Sequence, residues 1–485
     1  MLSRRQLLQS LIAAMALPTQ ILQAKGLLPH RFIVPPLAQS RREGNDLFFD
    51  LNIQAGLSRF FSNATTKTWG INMPFLGETL RANKGDRVHI NVKNSLPETT
   101  TLHWHGMKLP AREDGGPHQP VAPNATWLSE FDIIQPAATT WYHSHQLHRT
   151  GSQVYKGLAG LFIIDDKEAD ALHLPSEYGV DDFPVVIQDR TFQRDGSFSY
   201  VRSMRDRVMG KTGNVILVNG VVKPTLTTNK PLIRLRILNG SNSRIYQLAF
   251  DDKRSFHIIG SDGGLLEKPL KSNSVQLAPG ERAEVLVDIS DGGVPTLINQ
   301  PNQNSRRLEP SGMMQMMAAP DKRFSIFQID ARGVDKIQAT IPDNLVVHQK
   351  TDMQVSQKRH LKLQAQMGPA MMSGRGLSIN GKRMDMNRID EIVKAGSLEV
   401  WTVTNSSMMP HPLHIHNAQF KIIGKQGRIL EHETGFKDTV LLEPRGSMQL
   451  LIHFPDYKDE KRPYMYHCHN LEHEDQGMMG QFLVV

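Results

Sequence analysis

A chain of 485 residues is long enough for about three domains with substantial buried cores. Its net charge of +8 is modest for that length and its basic residues form no long block, which speaks against a nucleic-acid partner. No apolar run reaches the ~18 residues of a spanning helix, so stable membrane insertion is not expected.

The first residues carry an address. Arg4 and Arg5 are followed by an apolar stretch from Leu7 to Leu17, and no acid occurs before Glu43. The pattern looks like a twin-arginine signal peptide over residues 1–26, cleaved between about Ala24 and Gly26. It predicts a periplasmic or otherwise exported protein; a short basic amphipathic helix is the plainer alternative. Cys468 is the single cysteine, so no intramolecular disulfide can form and its thiol is free for other chemistry.

Beyond the signal, short strands alternate with Gly, Pro and Asn. Residues 87–92, 161–164, 232–238 and 283–288 predict strands of a β-sandwich or barrel. Linkers are expected near 165–175 and 330–342. Tyr142-His143-Ser144-His145 is followed by Gly157-Leu158-Ala159-Gly160-Leu161-Phe162, and Tyr466-His467-Cys468-His469 by Gly477-Met478-Met479-Gly480-Gln481-Phe482. A further pair precedes each, His103-Trp104-His105 and His414-Ile415-His416. The first and last thirds therefore read as copies of one β-domain, with a histidine-poor third between them.

Together with His411 and His473, these motifs hold ten of the 20 histidines. In a strand, residues i and i+2 share a face and can grip adjacent metal ions. One such pair could be ordinary core packing. Four pairs, one of them flanking the only cysteine, are hard to explain that way. Imidazole alone suits zinc, iron or copper. Cys468, His473 and Met478 add a thiolate and a weak thioether, three ligands of a blue-copper site, with one histidine to come from elsewhere. His467 and His469 point away from Cys468 in an extended strand and would serve a different metal centre.

The motifs resemble the four copper signatures of the multicopper oxidases, the family of laccases, ascorbate oxidase and bacterial cuprous oxidases. Leu238-Asn239-Gly240-Ser241-Asn242-Ser243-Arg244 and Ala278-Pro279-Gly280-Glu281-Arg282 resemble the middle domain of that family. The resemblance implies an all-β chain of three consecutive cupredoxin-like Greek-key β-barrel domains, at 27–168, 169–338 and 339–485. It also implies four copper ions. His411, Cys468 and His473 would be equatorial ligands of the type 1 copper, with Met478 axial. His103 and His414 would bind the type 2 copper; His105, His143, His145, His416, His467 and His469 would bind the type 3 pair. Electrons would pass through Cys468, and O2 would be reduced to water. Glu474 and Asp114 match the family's acidic residues near the cluster and would supply protons. Asp438 and Asp475 read instead as hydrogen-bonded supporting or turn residues.

The donor is read from composition. Twenty-two methionines occur, grouped at Met313, Met314, Met316 and Met317, at Met367, Met371 and Met372, and at Met384, Met386, Met408 and Met409. Thioethers prefer Cu(I), although methionine also fills irregular apolar gaps. Met409, two residues before His411, is the candidate for holding a substrate cuprous ion. The resemblance is strongest to bacterial periplasmic cuprous oxidases, implying Cu(I) as favoured donor and a role in copper tolerance. Two departures leave phenols or Fe(II) as laccase-like alternatives: no long methionine-rich insertion precedes His411, and Ser407 stands where those proteins carry an acid. A copper-free exported structural or division protein would be expected to lack ligands, and a copper-sequestering protein would not need the His-Cys-His arrangement. A monomer is expected.

Overall fold

The computed structural model describes residues 30–301, 322–336, 340–349, 352–366, 368–455 and 457–485. The signal segment, Met313 to Met317 and Met367 lie outside the described residues. Three two-sheet sandwiches follow one another along the chain. Between 40 and 165 a six-stranded sheet faces a four-stranded one; between 182 and 330 a seven-stranded sheet faces a five-stranded one; between 357 and 484 both sheets have five strands.

Each sandwich closes on its own apolar core. The strand Arg87–Asn94 shows the cause: Val88, Ile90 and Val92 are buried, while Arg87, Asn91 and Lys93 face solvent. A period of two makes one face apolar, and that face needs a partner sheet.

All three copies share the same two parallel pairings. In the first, Asp46–Phe61 runs parallel to Arg87–Asn94 and Leu80–Asn83 to Ala159–Asp165. In the second, Asp182–Arg190 pairs with Leu232–Asn239 and Thr225–Thr227 with Phe324–Asp330. In the third, Gln357–Ala365 pairs with Leu398–Asn405 and Glu391–Val393 with Met479–Val484. Parallel pairs need long crossovers rather than hairpins, so this shared signature marks one topology used three times. The histidine-poor middle third is a copy as well.

The domains are held together by more than linkers. Phe60, Phe75, Trp141, Leu161, Val186 and Leu238 form a separate apolar cluster between the first two sandwiches. Phe32 packs into the middle core, and bridges from Arg31 to Thr225 and from Leu37 to Thr79 tie the segment before the first sandwich to both neighbours. Among the described residues no helix is long and apolar enough to cross a membrane.

Candidate metal centre

Two half-sites meet between the first and third domains. In the first, His103–His105 lies antiparallel to Ala138–His143, with His103 opposite His143. In the third, His411–Ile415 lies antiparallel to Asp459–Cys468, with His414 opposite His467 and Leu413 opposite Cys468. Three groups of donor atoms converge within 4.8 Å: His105 with His143 and His469, His145 with His416 and His467, and His103 with His105 and His414. Every group takes imidazoles from both domains. The rings interleave, His105 stacking on His414 at 3.6 Å and His103 on His416 at 3.9 Å between centroids.

Burial disfavours the charged form of nine of the ten motif histidines. It pushes His103, His105, His143, His411, His416 and His469 well below the usual histidine range. His145 and His473 fall to about 4 and His467 to about 3 for the same reason. A neutral imidazole has one N–H and one lone pair, so the partner of one nitrogen fixes the role of the other. His103 Nδ1 donates to Asp114 O at 2.7 Å, His143 Nδ1 to Ser144 O at 2.8 Å, His414 Nδ1 to Asp438 O at 2.9 Å and His467 Nδ1 to Cys468 O at 3.2 Å. His416 Nδ1 donates to Asp114 Oδ2 at 2.7 Å. Each of these rings then offers Nε2 as a lone pair, and Nε2 of His103, His414 and His416 is buried without a hydrogen-bond partner. His105 is reversed. Its Nε2 donates to Asp438 Oδ1 at 3.0 Å, which leaves Nδ1 as the lone pair.

At one contact lone pairs therefore face one another with no proton between them: His143 Nε2 lies 3.4 Å from His105 Nδ1. Such a contact repels unless a cation sits beside it. The Nε2 atoms of His145 and His467 are 3.2 Å apart. The residues present fit bound metal.

A second centre lies on the other face of the same strand. Cys468 Sγ is 3.4 Å from His411 Nδ1 and 3.7 Å from His473 Nδ1, and those two nitrogens are 3.2 Å apart. The outer nitrogens are spoken for: His473 Nε2 donates to Val208 O at 2.9 Å, and His411 Nε2 to Ser407 Oγ at 2.9 Å. Met478 is fully buried in the same core, and the turn from Cys468 is closed by Cys468 N to Met478 O and Met478 N to His473 O, both 3.0 Å. Burial pushes the Cys468 thiol up, so a thiolate here needs a cation beside it.

Carboxylates stand behind the rings. Glu474, fully buried, lies 3.3 Å from His145 Nδ1 and 3.1 Å from His467 Nδ1, and burial raises its carboxyl. Asp114 sits against His416 and His103, raised by burial well above the carboxylate range. Asp438 differs. Burial would raise it, but Arg282 and His105 outweigh that and hold it well below. Asp475 supports a turn between domains, its Oδ2 accepting from Gly151 N at 3.0 Å and its O from His148 Nδ1 at 2.7 Å.

The methionine reading needs a correction. Met409 is only 2% exposed and packs in the third core, so it offers no open thioether to a cuprous ion. Met408 beside it is 46% exposed, with its sulfur accepting from Arg445 Nε at 3.3 Å. Met371 is buried too. Sequence reasoning named Ser407 for the acid it lacks and missed its hydrogen bond to His411. Nor did it foresee the Val208 carbonyl on His473 or the Arg282 side chain on Asp438.

Family profiles described as multicopper oxidase match residues 52–169, 183–296 and 351–485. The chain belongs to the multicopper oxidase family, a family of copper oxidoreductases built from cupredoxin-like domains. It is 35% identical over 461 residues to the multicopper oxidase mco of Staphylococcus haemolyticus (strain JCSC1435), covering 94% of this chain and 92% of that protein. It is also 34% identical to the cell division protein FtsP of Escherichia coli (strain K12), covering 100% of this chain and 99% of that protein. Among solved structures, a laccase from Pediococcus acidilactici Pa5930 superposes with a TM-score of 0.83 at 34% identity, covering 95% and 94% of the two chains.

Proposed function

We propose that this chain is a copper-dependent oxidase that couples one-electron oxidation of a donor to four-electron reduction of O2 to water. One observation carries the reading: eight buried imidazoles, four from each of two domains, bring their ring nitrogens together beside a His-Cys-His segment. His411, Cys468 and His473, with Met478, would hold a type 1 copper. His103 and His414 would hold a type 2 ion, and His105, His143 and His469, with His145, His416 and His467, a type 3 pair. Bound copper supplies one-electron acceptance at the first site and O2 reduction at the second.

The protein's own groups do the rest. Cys468 is joined to His467 and His469 by single peptide units, so the two centres share one strand. Glu474 and Asp114 hold exchangeable protons beside ligand rings, and burial excludes bulk water from the imidazoles. The assigned spans of the three domains, the twin-arginine export route and the monomeric state are part of the same proposal.

For the donor we place Cu(I) first, on methionine content, with copper tolerance as the role. Phenols or Fe(II) come second, and the burial of Met409 and the neutral Ser407 hydroxyl on His411 favour them. A division role like that named for the Escherichia coli relative is supported by similarity over the whole chain, but it does not call for converging buried donor atoms.

The test is to load purified protein with copper and compare O2 uptake on Cu(I) and on a phenol. We expect an intense blue colour, lost in Cys468→Ser. A colourless, copper-replete wild type would sink the type 1 assignment. Fast phenol oxidation, with nothing on Cu(I) above its spontaneous oxidation, would reverse the order of donors.

A further inference from the structure

The eight histidines come from the first and third domains, yet a middle-domain side chain reaches their site. Arg282 opens the strand Arg282–Asp288 and its side chain is fully buried. All five of its N–H groups are used. Nε donates to Thr139 O at 3.0 Å, in the first-domain strand that carries His143. Nη1 donates to Gly280 O at 2.9 Å and to Asp438 Oδ1 at 2.8 Å; Nη2 donates to Asp262 O at 3.0 Å and to Asp438 Oδ2 at 2.5 Å. One guanidinium thus grips all three domains, with both prongs on a third-domain carboxylate.

Asp438 passes that grip to two metal-site rings. Its Oδ1 accepts from His105 Nε2 at 3.0 Å, and its backbone O from His414 Nδ1 at 2.9 Å. The side-chain contact reverses His105 relative to His103, His143, His414, His416 and His467. Gly106, at φ +88°, belongs to the same arrangement. A Cβ there would meet Arg282 Nη2 and Asp438 Oδ2, each at 2.7 Å, so the chain beside His105 runs hard against the ion pair.

We propose that Arg282 is a positioning residue of the eight-histidine metal site. Its planar fork fixes Asp438, and Asp438 holds His105 with Nδ1 turned to the metal. The proposal rests on the copper-oxidase reading above. It gives the histidine-poor domain a task in the site: the two half-sites reach register through a side chain that belongs to neither. A lysine could not replace the fork, because a single ammonium cannot hold both carboxylate oxygens in one plane while reaching Thr139 O.

The experiment is a copper titration against a competing chelator, run on wild type, Arg282→Met, Arg282→Lys and Asp438→Asn. Two signals are followed, the blue absorption of the Cys468 site and total copper per chain. Outer partners of metal ligands are typically worth about 10- to 100-fold in metal affinity. We expect the copper beyond the blue ion to bind about 10- to 100-fold more weakly in Arg282→Met and Asp438→Asn, with the blue site unchanged and Arg282→Lys restoring only part. Arg244→Met is the control: Arg244 is a middle-domain arginine in an ion pair, but it touches Asp189 and Gly213, not Asp438 or Thr139, and its non-blue copper should bind as in wild type. Wild-type affinity for the non-blue copper in both Arg282→Met and Asp438→Asn would overturn the proposal, as would equal weakening of the blue site or in the control. If Arg282→Met does not fold, Arg282→Lys, which keeps the charge, decides in its place: wild-type affinity for the non-blue copper there would overturn the proposal. A wild type with no blue band and no further copper would instead refute the oxidase reading beneath it.

Discussion

Replacing Glu284 with glutamine tests the latch between the first and middle domains. Glu284 is 1% exposed; its Oε2 accepts from Arg234 Nε at 2.9 Å, and its Oε1 from Arg236 Nη1 at 3.2 Å and Thr139 Oγ1 at 2.6 Å. Thr139 lies on the strand that carries His143, so the contact helps set one half-site. Burial alone would raise this carboxyl, but Arg234 and Arg236 outweigh it and bring it from 4.5 down to about 2. At 1.36 kcal/mol per pH unit, that gap corresponds to about 3 kcal/mol of stability. Breaking one side of a buried ion pair costs about 3–5 kcal/mol by a separate route, because it strands the partner charge. Glu284→Gln should therefore destabilise by about 3 kcal/mol at pH 7, lowering the midpoint of a domain of this size by about 6–12 °C. The sign of the pH dependence follows from the depressed carboxyl. Its contribution is complete above pH 4.5 and fades as pH falls toward 2, so the gap between wild type and variant should narrow over that window. Calorimetry of metal-free protein at pH 7 and at pH 3 measures both. A loss below about 1 kcal/mol at pH 7, or a gap that widens on acidification, refutes the reasoning.

Glu474→Gln keeps the shape of a side chain beside His145 and His467 but removes its exchangeable proton. O2 uptake at saturating donor should fall about 100-fold, with blue colour and donor KM unchanged, and full turnover would rule out proton supply from this residue. Ser407→Ala leaves His411 Nε2–H without its buried acceptor, a loss of about 1–3 kcal/mol. Chelator competition at the blue site should show weaker copper binding there and no change elsewhere; unaltered affinity would mean that Ser407 does not hold the ring.

The convergence of the histidines was legible because strand geometry puts i and i+2 on one face: His103/His105 follow that rule within a short strand, and His414 lies in the strand His411–Ile415 with His416 just past its end. The depth of Met409 was not legible, because the residue types around it do not alternate and nearness to His411 suggested a ligand. From Asn405 to His411 burial alternates with period two, so Met409 shares the inward side of Ser407 and His411 while Met408 points out. Arg234 and Arg236 are another such case. Charges alternating with apolar residues ordinarily mark a solvent face, yet the first domain covers this one and Glu284 and Asp182 neutralise it. Which surface another domain will cover is a tertiary fact with no local signal. The same holds for Arg282 and Asp438, which meet across 156 positions, and for the Val208 carbonyl, a backbone group that no residue type announces.

Metal removal should show how far the ligands strain the fold they sit in. Without copper, His143 and His105 oppose lone pairs at 3.4 Å, and His411 and His473 at 3.2 Å. Other ring nitrogens, such as Nε2 of His103, His414 and His416, are buried with no partner at all, and each such group costs about 1–3 kcal/mol. The apolar cores hold these rings in place at that expense. Copper reverses the balance by binding only the folded arrangement, and at a thousandfold excess over its dissociation constant one site contributes about 4 kcal/mol. The gain is directional, because every eight-histidine group spans the first and third domains while the middle core contains no ligand. Chelated protein should therefore unfold at lower temperature, with amide exchange quickening first in His103–His105 and His411–Ile415 and the strand Leu232–Asn239 of the middle domain keeping its protection. Equal midpoints with and without excess copper would mean that the converging rings store no such strain. Uniform loss of protection across all three domains would mean that copper does not act through the seam between the outer two.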